Sequence, residues 1–337
     1  MIVIALIVVA IILCGIWWMG ALWFRLPVGP SGRYAAIAGW CVLSLGTIVM
    51  LVRGDWRPLV LYAVVLIGLG LWWSSIKPSN HREWADDVAR MLSAEINGNS
   101  VTLHNVRNFI WRTETDYTPR WETRRYDLDT LTSVDMVLSY WGRPGIAHTL
   151  VSFGFADGQF VVFSVEIRKE KNESFSEIGG FFKEFETSIV AADERDIIRL
   201  RPNVRGEDTY IYRISMPKDA ARSLFIAYVE AANALIERPR FYNTITANCT
   251  TIVYEMVKRI VPGLPMDYRL VLSGYLPEYI HDVGGLDTRY SVEELRARGR
   301  ITERAIAADQ SPDFSQAIRA DVPGIPALTP APIDGLR

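Results

Sequence analysis

The sequence predicts an α+β protein: a domain with an antiparallel sheet, carried behind three membrane-spanning helices. Three observations predict it. Residues 2–24, 34–52 and 58–76 are apolar runs long enough to cross a hydrocarbon core. Residues 145–168 alternate like two strands about Ala156-Asp157-Gly158, a hairpin signature. Ile252, Val253, Met256, Val257 and Ile260 recur at three- and four-residue steps, the buried stripe of an amphipathic helix. The expected division is an anchor over 1–76, a folded domain over 77–310 and a Pro-rich tail over 311–337.

No charged side chain lies between Ile2 and Phe24, and Trp17, Trp18 and Trp23 sit toward one end, where indoles favour the membrane interface. The third run closes in the same way, on Trp72 and Trp73. A cleaved signal peptide fits poorly, because the first run lacks a basic leading region and a small-residue cleavage pattern, and further spans follow it. Three spans put the two ends on opposite sides. Arg25, Arg33, Arg53 and Arg57 flank both short loops and leave the orientation open. The net charge of −2 gives no reason to expect a nucleic-acid partner. Cys14 and Cys41 fall within the spans, so Cys249 is the only cysteine of the folded domain and no disulfide can form inside it.

Beyond the anchor, Trp84, Val88, Met91 and Leu92 share a helical face, which predicts a helix over 83–96 ended by Asn97-Gly98-Asn99. Residues 101–112 and 121–128 read as strands. Ser215 and Pro217 open a long helix that keeps its period to Pro239, and Ser291 with Glu294 has the spacing of a capping box for a helix reaching Ala308. The Pro-rich tail is expected to be an extended arm or disordered.

Two stretches bear chemistry. Asn248 stands where an N-cap would, which makes Cys249 the first helical residue, where unpaired amides and the helix dipole favour a thiolate. The alternative is a buried thiol acting as a small hydrophobe. In the hairpin, a two-residue turn would set His148 opposite Ile167, whereas a three-residue loop with Gly158 left-handed sets it opposite Glu166. We favour the second register because it gathers His148, Ser152, Ser164 and Glu166 on one face and leaves the other apolar. On that face Glu166 can hold the His148 ring proton and raise its basicity; a merely solvated polar face is the alternative. No recognisable spacing supports a metal site, and no cofactor is expected.

The motifs His148-Thr149-x-x-Ser152-Phe153-Gly154-Phe155, Ser164-x-Glu166-x-Arg168, Phe241-Tyr242-Asn243-Thr244 and Asn248-Cys249-Thr250-Thr251 resemble, in order, the bacterial Lnb N-terminal periplasmic domain family. Asn105 to Phe109 and Tyr126-Asp127-Leu128 also fit, and the resemblance covers roughly residues 95 to 290. It implies a papain-like fold of the NlpC/P60 group in permuted order over the folded domain, with Cys249 as nucleophile and His148 as general base. It further implies a multi-pass protein of the bacterial inner membrane whose domain is periplasmic. The family's namesake is a lipoprotein N-acyltransferase with further membrane segments after its domain; here a Pro-rich tail follows instead.

The leading functional expectation is a cysteine acyltransferase. Cys249 would take an acyl chain from a membrane lipid and pass it to an amine such as a lipoprotein N-terminus, with the helix start and Asn248 stabilising the oxyanion. Arg107, Arg143 and Arg168 are candidates for a lipid phosphate, and each could equally be structural. A cysteine amidase or peptidase acting on cell-wall peptide would use the same dyad. A non-catalytic envelope scaffold would require His148 and Cys249 to lie too far apart to share a proton.

Overall fold

Polar groups inside an apolar helix bundle need partners, and the first three helices supply them to one another. The computed structural model describes residues 2–326. The apolar runs form α1 (Ile2–Arg25), α2 (Pro30–Val52) and α3 (Pro58–Ser75), each long and apolar enough to cross a membrane. Trp40 of α2 donates its indole N–H to the Gly15 carbonyl of α1 at 3.1 Å, and Tyr62 of α3 donates to the Ile11 carbonyl at 3.4 Å. The two rings stack 5.0 Å apart.

These helices form one compact unit together with two later segments, 174–186 and 240–244. Phe182 from the first segment stacks on Phe24 at 5.5 Å and passes over Gly20, where a Cβ would overlap its ring. Only glycine admits that approach. Lys183 donates to the Trp73 carbonyl at 2.8 Å, close to the C-terminal end of α3, where a cation is favoured.

The second unit contains residues 82–173, 187–239 and 245 onward. Its strands are β1 (Ser93–Asn97), β2 (Ser100–Arg107), β3 (Ile110–Trp111), β4 (Tyr117–Thr118), β5 (Trp121–Asp127), β6 (Leu131–Tyr140), β7 (His148–Phe155), β8 (Phe160–Arg168), β9 (Glu186–Ala192) and β10 (Asp208–Arg213). The main sheet runs β1-β2-β9-β8-β7-β6-β10, with β5 also on β2, while β3 and β4 pair separately. The antiparallel expectation needs correcting, because β9 lies parallel to β2 through Arg107 and Ala192. A parallel pair needs a long crossover rather than a hairpin, and some eighty residues of chain separate these two strands. The sheet is mixed.

Helices cover both faces. On one, Val151, Phe153, Val161 and Phe163 pack against Leu224, Phe225, Tyr228 and Ala232 of the long helix α5 (Lys218–Glu237), in a core that also takes in Cys249 and Met256. On the other, Leu150, Val162 and Val190 pack against Ile197 of the short helix α4 (Glu194–Ile197), Ala305 and Phe314. The β7–β8 register is Leu150 opposite Ser164 and Ser152 opposite Val162, with Gly158 at φ +84°, so the three-residue loop is the one adopted.

Three local expectations fail for stated reasons. Residues 83–96 are no α-helix: Ala85 donates to the Lys169 carbonyl, Trp84 bridges Glu170, and Ser93–Asn97 is drawn onto β2 as an edge strand. The expected helix to Ala308 breaks into two short helices, Val292–Gly299 and Thr302–Ala307, because Ile301 donates to the Thr209 carbonyl and so joins the end of the sheet. The capping box of Ser291 and Glu294 is present. The tail to residue 326 is folded rather than extended. Phe314, Ile318 and Val322 recur at four-residue steps and are buried in the second core, and Phe314–Ala317 forms a short helix. Residues 327–337 lie outside the described part.

Candidate active site

Cys249 sits just before α6 (Thr251–Ile260), whose N-cap position is Thr250, so it is not the first helical residue as expected. Asn248 nevertheless caps the turn. Its Oδ1 accepts from the amides of Thr250 and Thr251, both at 2.8 Å, and Thr251 Oγ1 accepts from the Asn248 amide at 2.9 Å. This reciprocal arrangement satisfies orphan donors at the helix start and fixes the backbone on either side of Cys249. Asn248, Cys249 and Thr250 are all buried.

His148 begins β7, and the preceding loop is held in place. Ser273 donates to the Ala147 carbonyl at 2.6 Å and accepts from its amide at 3.0 Å, and Gly274 lies so close to Pro144 that a side chain would clash with its carbonyl. The His148 Nε2 lies 2.7 Å from Ser164 Oγ and 3.1 Å from Glu166 Oε1, while Ser164 itself donates to Glu166 at 2.8 Å. With Nε2 engaged there, Nδ1 is the ring nitrogen left to face another partner.

The electrostatics link the ring to the thiol. Burial pulls the His148 pKa down, but the Glu166 charge and hydrogen bonds to Cys249 and Glu166 outweigh it and raise the value to about 9. Burial would raise the Cys249 thiol, yet the hydrogen bond and charge of His148, the Thr149 backbone and the Thr250 hydroxyl bring it below its ordinary value. Glu166 is held far below the usual carboxylate range: burial opposes this, and His148, Arg201 and Ser164 prevail. The arrangement therefore favours a thiolate beside an imidazolium.

A pH dependence follows. Alkylation of Cys249 by iodoacetamide needs only the thiolate, so its pH limb should lie below that of an ordinary thiol and fall as pH drops through the depressed thiol pKa. Any reaction that also needs the imidazolium as proton donor should decline as pH rises through about 9. Measured rate profiles of wild type and His148→Ala check this, with the alkylation limb of the variant moving upward.

The other residues singled out in the sequence scatter. Ser164 belongs to the site. Ser152 does not: it donates to Glu194 within a buried network in which Arg319 also binds Glu194 and Asp135. Arg107 is buried in an ion pair with Asp196 at 2.9 Å and donates to the Asp87 carbonyl. Arg168 donates to the carbonyls of Val88 and Ala89 and lies over the Trp84 ring at 4.3 Å. Arg143 is exposed on the loop before β7. Phe241 to Thr244 group with the membrane helices. Sequence reasoning missed Arg201, whose guanidinium lies 3.4 Å from both Glu166 and Glu207, and Glu207, which accepts from Ser139. No spacing signal marks either residue. Among the described residues, no group of three or more His, Cys, Asp or Glu side chains could hold a metal ion.

His148 begins β7 with Glu166 beside its ring, and Cys249 stands just before α6. Residues 117–274 match the family model of the Lnb N-terminal periplasmic domain. That stretch contains His148, Ser164, Glu166, Arg201 and Cys249, so the matched residues include the whole candidate site. Together with three helices apolar enough to cross a membrane, the match is consistent with a membrane protein that has a periplasmic domain. No curated protein and no solved structure matched the chain.

Proposed function

We propose that this protein is a multi-pass inner-membrane thiol acyltransferase whose Lnb-type domain has a permuted, papain-like NlpC/P60 fold. The observation that supports it most is the buried Cys249 thiol, depressed in pKa beside the His148–Glu166 pair. The chain order agrees, since the histidine strand precedes the cysteine helix.

In this reading the Cys249 thiolate attacks the ester carbonyl of a phospholipid. A C–S bond forms, the ester C–O bond breaks, and the departing glycerol oxygen takes its proton from the His148 imidazolium, leaving a lysolipid. Glu166 keeps the ring oriented and charged; Arg201 and Ser164 hold Glu166 in place. An amine, such as a lipoprotein N-terminus, then attacks the thioester. His148 accepts the amine proton, the C–N bond forms, and the C–S bond breaks to restore the thiolate.

The test supplies full-length protein with phospholipid bearing a labelled acyl chain and a synthetic lipopeptide with a free amino terminus. Labelled amide is expected. Labelled free fatty acid without amide, or cleaved cell-wall peptide in a parallel reaction, would replace transfer with hydrolysis; an unchanged lipid and unchanged peptide would leave a scaffold.

A further inference from the structure

Protein interiors hold few voids larger than a water molecule, and an apolar one excludes water and can take an apolar guest. A cavity of about 240 Å³ lies between α5, α6 and the sheet, with Thr149 and Thr250 at one part of its wall. Those two residues directly follow His148 and Cys249 in sequence, their hydroxyls bond each other at 3.1 Å, and Thr250 Oγ1 is 3.9 Å from the Cys249 sulfur. Thr250 thus joins the cavity wall to the residue that bears the thiol.

From there the cavity follows one stripe of α6. Thr250, Val253, Val257 and Val261 all line it, and the ten residues of α6 advance roughly 15 Å. That is about half the hydrocarbon thickness of a bilayer, the length of one leaflet's acyl chain. The tyrosine and threonine hydroxyls in the wall are occupied elsewhere. Tyr254 donates to the Leu264 carbonyl at 3.0 Å, Tyr279 donates to the Pro265 carbonyl at 2.9 Å, and the two threonines satisfy each other. A peptide placed here would bury amides without partners, whereas a hydrocarbon chain would lose nothing.

We propose that this cavity is the acyl-chain site: it receives the hydrocarbon tail of the Cys249 thioester along the Val253–Val257–Val261 stripe and sets which chain lengths are accepted. The proposal rests on the acyltransferase reading and adds the part of the substrate that the protein measures.

The test uses full-length protein in detergent and p-nitrophenyl esters from acetyl to palmitoyl. Attack by Cys249 forms the thioester and expels nitrophenolate, so absorbance gives the rate and mass spectrometry confirms the acylated peptide. Wild type should prefer long chains over acetyl. Val253→Trp, one turn from Thr250, should cut the preference at short chains, and Val257→Trp, two turns away, at longer ones. Each pair of methylenes denied a place should cost on the order of tenfold in the long-to-acetyl ratio. Taking that ratio within each variant removes effects of fold and expression. Glu255→Trp, on the exposed side of the same helix, should keep the wild-type profile. If both valine variants keep it too, or if wild type shows no length preference, the cavity is not the chain site, although the acyltransferase reading survives. If Cys249 accepts no ester of any length, that reading itself falls.

Discussion

Replacing His148 with Ala should lower the rate of Cys249 acylation by about 10²–10⁴-fold, the usual contribution of a positioned acid–base group. The ring does two things that the variant loses together. Its charge and hydrogen bond depress the thiol pKa against the effect of burial, and its proton serves the leaving oxygen. Without it, burial is opposed only by the Thr149 backbone and the Thr250 hydroxyl, so the thiol pKa moves up and less thiolate remains near neutral pH. Glu166→Gln should show a smaller loss of the same kind, because it removes the charge that does most to hold the His148 pKa at about 9. Its high-pH limb should therefore shift downward. Stopped-flow acylation across pH separates the two effects, and a Glu166→Gln profile identical to wild type would remove the carboxylate from the account.

Arg319→Ala should destabilise the domain by about 3–5 kcal/mol, the cost of leaving buried charge uncompensated. Its guanidinium binds Glu194 at 2.6 and 2.8 Å and Asp135 at 2.9 Å, and both carboxylates are essentially inaccessible to solvent. Arg213 would still pair with Asp135, so Glu194 would bear most of the loss. Thermal unfolding of the full chain in detergent, followed by near-ultraviolet circular dichroism, measures it. An unchanged midpoint would mean that Arg319 does not compensate the buried carboxylates of Glu194 and Asp135.

The segment 313–326, which carries Arg319, marks the limit of what composition reveals. Its prolines suggested an arm, and they masked the four-residue spacing of three apolar side chains that a core elsewhere in sequence was waiting to accept. The stripe Trp84, Val88, Met91 and Leu92 misled in the opposite direction. Helical spacing was there, but the free edge of β2 and the backbone of Lys169 offered hydrogen bonds that an extended chain could take. The hairpin was legible because its register is a local matter: alternation fixed the faces and Gly158 fixed the loop, which brought His148 to Glu166. Cys249 was legible from Asn248, although the helix starts two residues later than the spacing suggested. Arg201 and Glu207 could not be read, since their contacts with Glu166 and Ser139 depend on how a distant turn packs. Arg107 and Arg168 show the same limit in reverse. An arginine in a sequence does not reveal whether its partner is a ligand, a carboxylate such as Asp196, or the carbonyls of Val88 and Ala89.

The central claim is that Cys249 bears an acyl group taken from membrane lipid. Mass spectrometry of the full-length protein after incubation with phospholipid tests it directly. The account predicts a fatty-acyl mass on the Cys249 peptide, released by hydroxylamine, abolished in Cys249→Ala and strongly reduced in His148→Ala. An unmodified Cys249 peptide from active-length incubations, or an adduct that persists at full yield without His148, would contradict it.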